Sequence, residues 1–489
     1  MVTAPTPART DSLSAPLAAL LPWVAGGVAL AFRLPFCVST PQDPDGVRFV
    51  RALLRYDLVQ GHPHPPGYPL FIALGSAVHR LGPSPAWSLS LISALALSAL
   101  IILFTRWCIP RVGPSAAAQA AALLMLVPLS TTLSARPLSD MLGAAIGWWA
   151  LLSATRPAAD ARRTAALSAL VLLVRASTFA LCAPALILAL GRDRRHRVVA
   201  VAVFALITVL GYLPVIIVTG LGCFLRLVFH HGTGHFQRFG GTVITQPDLV
   251  ARSRAFLWTL WTHCLGGGWA DRPTHLLAAG AIVTATSLVG LTALLRGADT
   301  PVRTSRLVAG SALFYAAWAY FGQNILWSPR HLLPILPALA WCFGVGVSAL
   351  SRRWSRAAPA VVLVALVSLA HESFRLARTQ RDAPPPTSSL ALWLSHHTDA
   401  AHTVIATAQL GPWIRALIPA ARVIDIQDAH DLSRLRLTAT DTLFVTSEVH
   451  GVSFVRGHVR ARFVRDRYVN PALYDIAIIE VAPLVYGCR

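Results

Sequence analysis

The recurrence of long apolar runs constrains this chain more than any other feature. The runs are about 12 to 22 residues long, the longer of them enough to cross a ~30 Å hydrocarbon layer as helices. They fall near 13–34, 86–105, 115–133, 141–155, 164–175, 177–190, 198–219, 274–295, 307–322, 332–350 and 357–371, eleven candidate spans in all. Composition agrees: 55% of residues are apolar and only 13% charged, against roughly 25% charged in an ordinary soluble domain. Mean hydropathy is +0.58. A purely soluble fold is excluded, and the expected class is an α-helical polytopic membrane protein.

Charge then orients the spans. All 42 basic residues are arginines, set against 21 acids. Of these, 29 Arg and 11 acids precede residue 373, and 13 Arg and 10 acids follow. The excess therefore belongs to the membrane part, where it meets lipid phosphates, and nucleic acid is not the partner it implies. The linkers 106–111, 156–163, 191–197, 296–306 and 352–356, with Arg9, hold 16 Arg. The positive-inside rule places them and the N-terminus on the cytoplasmic side of an inner membrane. An odd number of spans then puts loops 35–85 and 220–273 on the outer side, together with the tail after Pro384-Pro385-Pro386. The first span reads as an anchor rather than a signal peptide, because only Arg9 precedes it. Seven scattered Cys without a CxxC pattern behave as small hydrophobes.

Two domains follow, a transmembrane domain over 1–372 and an extracytoplasmic one over 373–489. In the tail, Thr403 to Thr407, Arg422 to Ile426, Thr442 to Thr446 and Tyr474 to Val481 read as short β-branched strands with helices between them. That alternation predicts a small α/β domain. It carries no GxGxxG or phosphate-binding loop, hence no cofactor signal.

Chemistry on the outer face has few acids to draw on. Topology places Asp11, Asp160, Asp193 and Asp299 inside, which leaves Asp43, Asp45, Asp57, Asp140, Asp248 and Asp271 outside and Glu372 at the end of the last span. A general base on that face is one of these carboxylates. The first outer loop reads Gln42-Asp43-Pro44-Asp45-Gly46-Val47-Arg48-Phe49. A helix is expected to start there with Asp45 as its N-cap. Val50, Leu53, Leu54 and Leu58 would form its apolar stripe, and Arg48, Arg51 and Arg55 the opposite face at phosphate level. A solvated cap without chemistry is the plain alternative. A metal held by the two Asp lacks a third ligand.

The same loop continues Gly61-His62-Pro63-His64-Pro65-Pro66-Gly67-Tyr68-Pro69-Leu70. Proline stiffens the backbone, so His62 and His64 can be held where an imidazole binds phosphate, moves a proton or ligates a metal. The alternative is a rigid elbow before a helix near Tyr68. Arg136 and Asp140 lie at a second outer turn, Arg175 between two apolar half-runs, and Arg330-His331 at the opening of a span. The three Arg lie at outer helix ends, where they either converge on an anionic headgroup or snorkel to the interface. His230, His231 and His235 in the second long loop lack a fixed carboxylate or Cys partner and are weak evidence for metal.

Taken together, Asp45-Gly46-Val47-Arg48-Phe49, Tyr56-Asp57-Leu58 and His62 through Leu70 resemble the first periplasmic loop of the GT-C superfamily. These multi-span glycosyltransferases include protein O-mannosyltransferases and the aminoarabinose transferase of lipid A. Ser134 to Asp140, Arg175-Ala176-Ser177, the Thr219 to Gly222 opening of the long loop and Pro329 to Pro334 are similar to recurring positions of the family. The resemblance spans residues 13 to 372 and leaves the tail unmatched. It implies transfer of one sugar from a polyprenyl-phosphate carrier to a lipid, glycan or protein acceptor at the outer face, with inversion. Asp45, or its neighbour Asp43, would act as base. Arg330 and Arg175 would neutralise the departing phosphate. His64 and Asp140 would shape the sugar and phosphate pocket, with His62, Tyr68, Arg136 and His331 also on the donor side. No cofactor is firmly implied, although some relatives bind a divalent ion.

Two other classes share the spans and the phosphate-facing Arg. A lipid-linked-sugar transporter would carry charged or broken helices near the bilayer midplane, whereas acids are nearly absent from these spans. An inactive lipid-phosphate-binding scaffold would keep every feature and lose nothing when Asp45 is changed.

Overall fold

The computed structural model describes residues 15–481 except 157–159, 192–193, 240, 269–271, 298–301, 400, 409, 427, 436, 439 and 472. Arg9, Asp11, Asp193, Asp271 and Asp299 thus lie outside the described residues. Among the described residues every apolar run becomes helix. In chain order the first half forms α1 (Ala15–Arg33), α2 (Pro44–Leu54), α3 (Pro69–His79), α4 (Pro85–Val112), α5 (Pro114–Leu126), α6 (Pro128–Leu133), α7 (Asp140–Ala154), α8 (Ala161–Val174), α9 (Phe179–Leu190) and α10 (Arg194–Thr219). The second half forms α11 (Leu221–Gly234), α12 (Leu249–Thr259), α13 (Thr274–Leu295), α14 (Val302–Gly322), α15 (Leu336–Arg353) and α16 (Ala357–Asp382).

Six helical stretches among the described residues are long and apolar enough to cross a membrane, at 16–36, 85–112, 194–219, 274–295, 329–353 and 357–397. The other five runs give α7, α8 and α9, of 12 to 15 residues, the 21-residue α14, and α5 with α6, which Pro128 separates. A proline inside a run cannot donate to the helix ladder, so the helix restarts there. Six of the eleven expected spans thus meet that length and composition, and the other five form the remaining apolar helices. The short apolar helix α3 lies outside every expected span, because the proline-rich segment before it obscures the run.

Packing follows residue size. Helices α13 and α15 cross closely at Gly290 and Gly346, where a methyl on Gly290 would sit 1.7 Å from the Cys342 carbonyl oxygen. Small residues let helix backbones approach this way in lipid. Arg33, fully buried at the end of α1, donates to the Met125 carbonyl at 2.6 Å and to Thr131 and Ser373, each at 3.0 Å. It ties the first helix to α5, α6 and α16.

Helix α16 runs through residue 372 without a break, so Glu372 lies within the helix rather than at its end. Beyond it, α17 (Pro386–His397) leads into β1 (Thr403–Thr407), α18 (Gly411–Leu417), β2 (Arg422–Asp425), β3 (Thr442–Thr446), β4 (Gly457–Val464) and β5 (Asp475–Val481). The sheet order is β2-β1-β3-β5-β4. Strand β1 is parallel to β2 and β3, and β5 is antiparallel to β3 and β4. Leu390, Leu394 and Ile414 cover one face through Ile405, Phe444 and Ile476, while Val404, Leu443 and Val445 pack on the other. The fifth strand, β4, is an addition to the four expected. Its largely exposed edge is held by Arg460 on Glu480 and Arg462 on Asp475, both at 2.5 Å.

The tail is bound to the helical part by buried polar contacts. Arg465 donates to Gln42 Oε1 at 2.5 Å, to Asn470 at 2.9 Å, and to the carbonyls of Thr379 at 2.9 Å, Gln380 at 2.8 Å and Ala383. Asn470 returns a bond to the Gln42 carbonyl at 2.9 Å. Asp466 accepts from Arg272 and Arg375, each at 2.7 Å. Loop 35–85, the end of α16 and the 465–470 turn thereby close over one end of the bundle.

Candidate active site

That end holds a cavity of about 870 Å³. Its geometry starts with the first loop. Asp43 is extended (φ −156°), and its carboxylate accepts from the Gly46 amide at 2.9 Å, so Asp43 rather than Asp45 is the N-cap. The correction has a simple cause: Pro44 suits the first helical position, where a missing N–H costs nothing. Asp45 consequently falls in the first turn, its carboxylate freed from capping and facing the cavity.

Three cationic or imidazole groups meet Asp45. Arg330 Nη2 is 2.5 Å from Oδ2, His64 Nδ1 is 3.7 Å from Oδ1 and Arg48 Nη1 is 4.0 Å from Oδ1. Burial alone would raise the Asp45 carboxyl, but Arg330 and the groups beside it outweigh burial and hold it well below the usual carboxylate range. Burial pushes His64 down to about 3, so a neutral imidazole faces Asp45. Asp43 moves the other way, raised by burial against the opposing pull of Arg330. Two acids of one turn thus have their affinities for protons driven apart.

His64 is positioned by its own segment. Its Nε2 meets the Tyr68 hydroxyl at 2.6 Å, and Phe49 packs on both rings at centroid distances of 5.6 and 4.8 Å. Tyr68 has φ +49°, a left-handed backbone uncommon for a bulky residue and a mark of local strain held by its surroundings. Burial raises the Tyr68 phenol to about 12, so it remains a donor.

The remaining expected residues divide. Arg136, Arg175, Arg330 and His331 line the cavity with Asp43, Asp45, His64, Tyr68 and Arg48. Asp140 does not line it but stands behind Arg175, 3.0 Å from its guanidinium. Arg136 is buried, donating to Gln380 at 2.8 Å and to the Val469 carbonyl. His62 is not brought to the cavity. It pairs through its backbone with Asp57 and meets Arg51 Nη1 at 3.2 Å on the loop's outer side. Arg55 is exposed, 3.9 Å from Asp57. Of the three Arg expected at lipid phosphates, Arg48 turns to the cavity, Arg51 to His62, and Arg55 is exposed beside Asp57. Starting the helix at Pro44 also shifts its buried face to Val47, Phe49 and Ala52 and leaves Leu54 exposed.

Other lining residues went unforeseen. His231 from α11 lies near His64, 5.4 Å between tilted ring centroids, and His235 meets the Gly322 carbonyl at 2.8 Å. Trp318 and Trp327 come from the region before Arg330, and Arg415, Asp425, Tyr468 and Asn470 from the tail. The histidine cluster of the second long loop was the one sequence signal among these. Among the described residues no group of three or more His, Cys, Asp or Glu side chains is arranged to hold a metal.

Residues 56–123 match the family model described as the protein O-mannosyl-transferase TMEM260 N-terminal domain. No curated protein matches the chain. The fold is similar to ArnT from Cupriavidus metallidurans bound to undecaprenyl phosphate, at 14% identity and TM-score 0.54, covering 97% of this chain and 99% of that one. The apo ArnT structure gives 14% identity and TM-score 0.55 over 96% and 100%. The Archaeoglobus fulgidus oligosaccharyltransferase in its apo form gives 14% identity and TM-score 0.48 over 88% and 69%. The chain thus shares the fold of ArnT, and its apolar helices make it an integral multi-pass membrane protein.

Proposed function

We propose that this protein is a membrane glycosyltransferase that moves one sugar from a polyprenyl-phosphate donor to an acceptor hydroxyl on a lipid, glycan or protein. The observation that carries this reading is the Asp45–Arg330 pair opening onto a cavity walled by the helical bundle and the tail. An anionic leaving group and a proton to be removed need a cation and a carboxylate side by side. The ArnT complex with undecaprenyl phosphate adds weight to a lipid-phosphate donor. In this reading the helical domain is catalytic, the tail completes the acceptor side, the N-terminus is cytoplasmic and the cavity faces outward across an inner membrane.

The step is a displacement at the anomeric carbon. The acceptor oxygen forms its bond to that carbon, the bond to the phosphate oxygen breaks with its electron pair, and the acceptor proton passes to Asp45. Direct displacement inverts the centre. Arg330 takes up the charge growing on the phosphate. Arg175, held by Asp140, and Arg136, held by Gln380 and Val469, keep the cavity wall positive without moving. His64 aligns the Asp45 carboxylate.

Purified protein in lipid with a panel of polyprenyl-phosphate sugars and acceptors tests the reading, with free polyprenyl phosphate followed by mass spectrometry. Asp45→Asn is expected to lose roughly 10²- to 10⁴-fold in turnover, the usual worth of a positioned base, with its thermal midpoint retained. Arg330→Ala is expected to impair donor use more than acceptor use. Full turnover by Asp45→Asn overturns Asp45 as base. Absence of release from every donor and acceptor by folded wild type returns the transporter and scaffold classes.

A further inference from the structure

Arg330 is asked to serve two anions at once. Its Nη2 is 2.5 Å from Asp45, while its guanidinium lines the cavity that receives the lipid phosphate. Its Nε is buried and donates to no acceptor among the described residues. Of the other cations around the cavity, Arg48 stands 4.0 Å from Asp45 and three more are committed elsewhere. Arg175 is 3.0 Å from Asp140, Arg136 is held by Gln380 and the Val469 carbonyl, and Arg415 is 2.5 Å from Asp425 on the tail. Around Asp45 stand Arg330, His64 and Arg48, with Tyr68, His231 and His331 also within electrostatic reach and Asp43 as the neighbouring acid. A guanidinium fork engages phosphate through two parallel N–H donors. One that turns its fork to a phosphate divides its charge between two anions and weakens its short contact with Asp45.

We propose that Arg330 is an exchanged partner: without donor it neutralises Asp45, and the donor phosphate takes it over, leaving Asp45 to Arg48 and His64. The inference rests on the glycosyl-transfer reading and adds an order to it. Before donor arrives, Asp45 is a poor base, because removing a proton from an acceptor means displacing its tightest cation. Once Arg330 turns to the phosphate, the carboxylate is less stabilised and gains basicity beside the anomeric carbon. Acceptor activation is thereby conditional on donor. After transfer the proton resides on Asp45 and the lipid phosphate on Arg330. Loss of that proton and of the phosphate restores the pair.

The test is a binding cycle with undecaprenyl phosphate as probe, on full-length protein in nanodiscs, with affinity measured by thermophoresis for wild type, Asp45→Asn, Arg330→Gln and the double variant. Exchange predicts that Asp45→Asn tightens binding about tenfold in the wild-type background and less than twofold beside Arg330→Gln, because the competition exists only when Arg330 is present. Equal tightening in both backgrounds means loss of a like charge and overturns exchange. Unchanged affinity of Asp45→Asn overturns it as well. Should Arg330→Gln fail to fold, Arg330→Met, which keeps the apolar stem without the charge, provides the second background with the same expectation. Turnover separates the two ideas: an inactive Asp45→Asn whose affinity is unchanged sinks exchange and spares the transfer reading, while an active Asp45→Asn sinks the base whatever the affinities.

Discussion

At the scale of single residues the site is organised by which group keeps its charge when buried. His64 folds with a proton affinity lowered from 6.5 to about 3, so between those pH values the unfolded chain binds the extra proton and the folded chain does not. Stability contributed by His64 is therefore complete above about pH 6.5 and declines as pH falls toward 3. The thermal midpoint of wild type is expected to fall between pH 7 and 4 more steeply than that of His64→Gln, and parallel curves would refute the buried neutral imidazole. Much of this neighbourhood was legible. Asp45, Val47, Phe49, His64 and Tyr68 lie within one short loop, so their order alone brings them together. The cap lies two residues before the expected Asp45 because Pro44 prefers the first helical position. His62 and His64 cannot be told apart by type or spacing. Only the turn at Asp57 sends one outward.

Between elements, contacts depend on shape and on backbone acceptors, and here the sequence says less. Gly290 reads as one small residue in an apolar run, yet it sets how closely α13 meets α15. Gly290→Leu is expected to destabilise the bundle by about 1–3 kcal/mol through overpacking, visible as a lower thermal midpoint in detergent; an unchanged midpoint would show that the crossing adapts. Arg465 was invisible for a different reason. Its partners are carbonyls and Gln42, far away in the chain and chemically unremarkable. Arg465→Met removes donors from several buried acceptors, at about 1.5–3 kcal/mol for each charged bond. Limited proteolysis is expected to cut such a variant faster near Pro384-Pro385-Pro386, and an unchanged digestion pattern would show that the tail holds by its apolar contacts alone. Strand β4 escaped detection because its outward residues include Arg460 and Arg462, whose pairing with β5 is a cross-strand effect.

The molecule as a whole carries a net charge of +21, with 16 arginines in five short linkers and at Arg9. Each basic group near an anionic leaflet contributes about 1 kcal/mol, falling off within a Debye length. Nanodiscs containing phosphatidylglycerol are expected to raise the thermal midpoint above that in phosphatidylcholine, and added salt is expected to erase the difference. Equal midpoints at low salt would remove the leaflet contribution. The eleven apolar runs made the helical class plain at this scale, but nothing local indicates that the tail reaches back to wall the cavity. That closure also bears on how the chain can be recombined. Arg136 touches Gln380 and the Val469 carbonyl while facing the cavity, and Arg465 grips Gln42 and the end of α16. A tail grafted from another member of the fold would meet a socket cut for this one, so exchange of tails calls for Gln42, Arg136 and Gln380 to travel with the turn they hold. The two halves of this chain are interlocked parts and inherit their changes together.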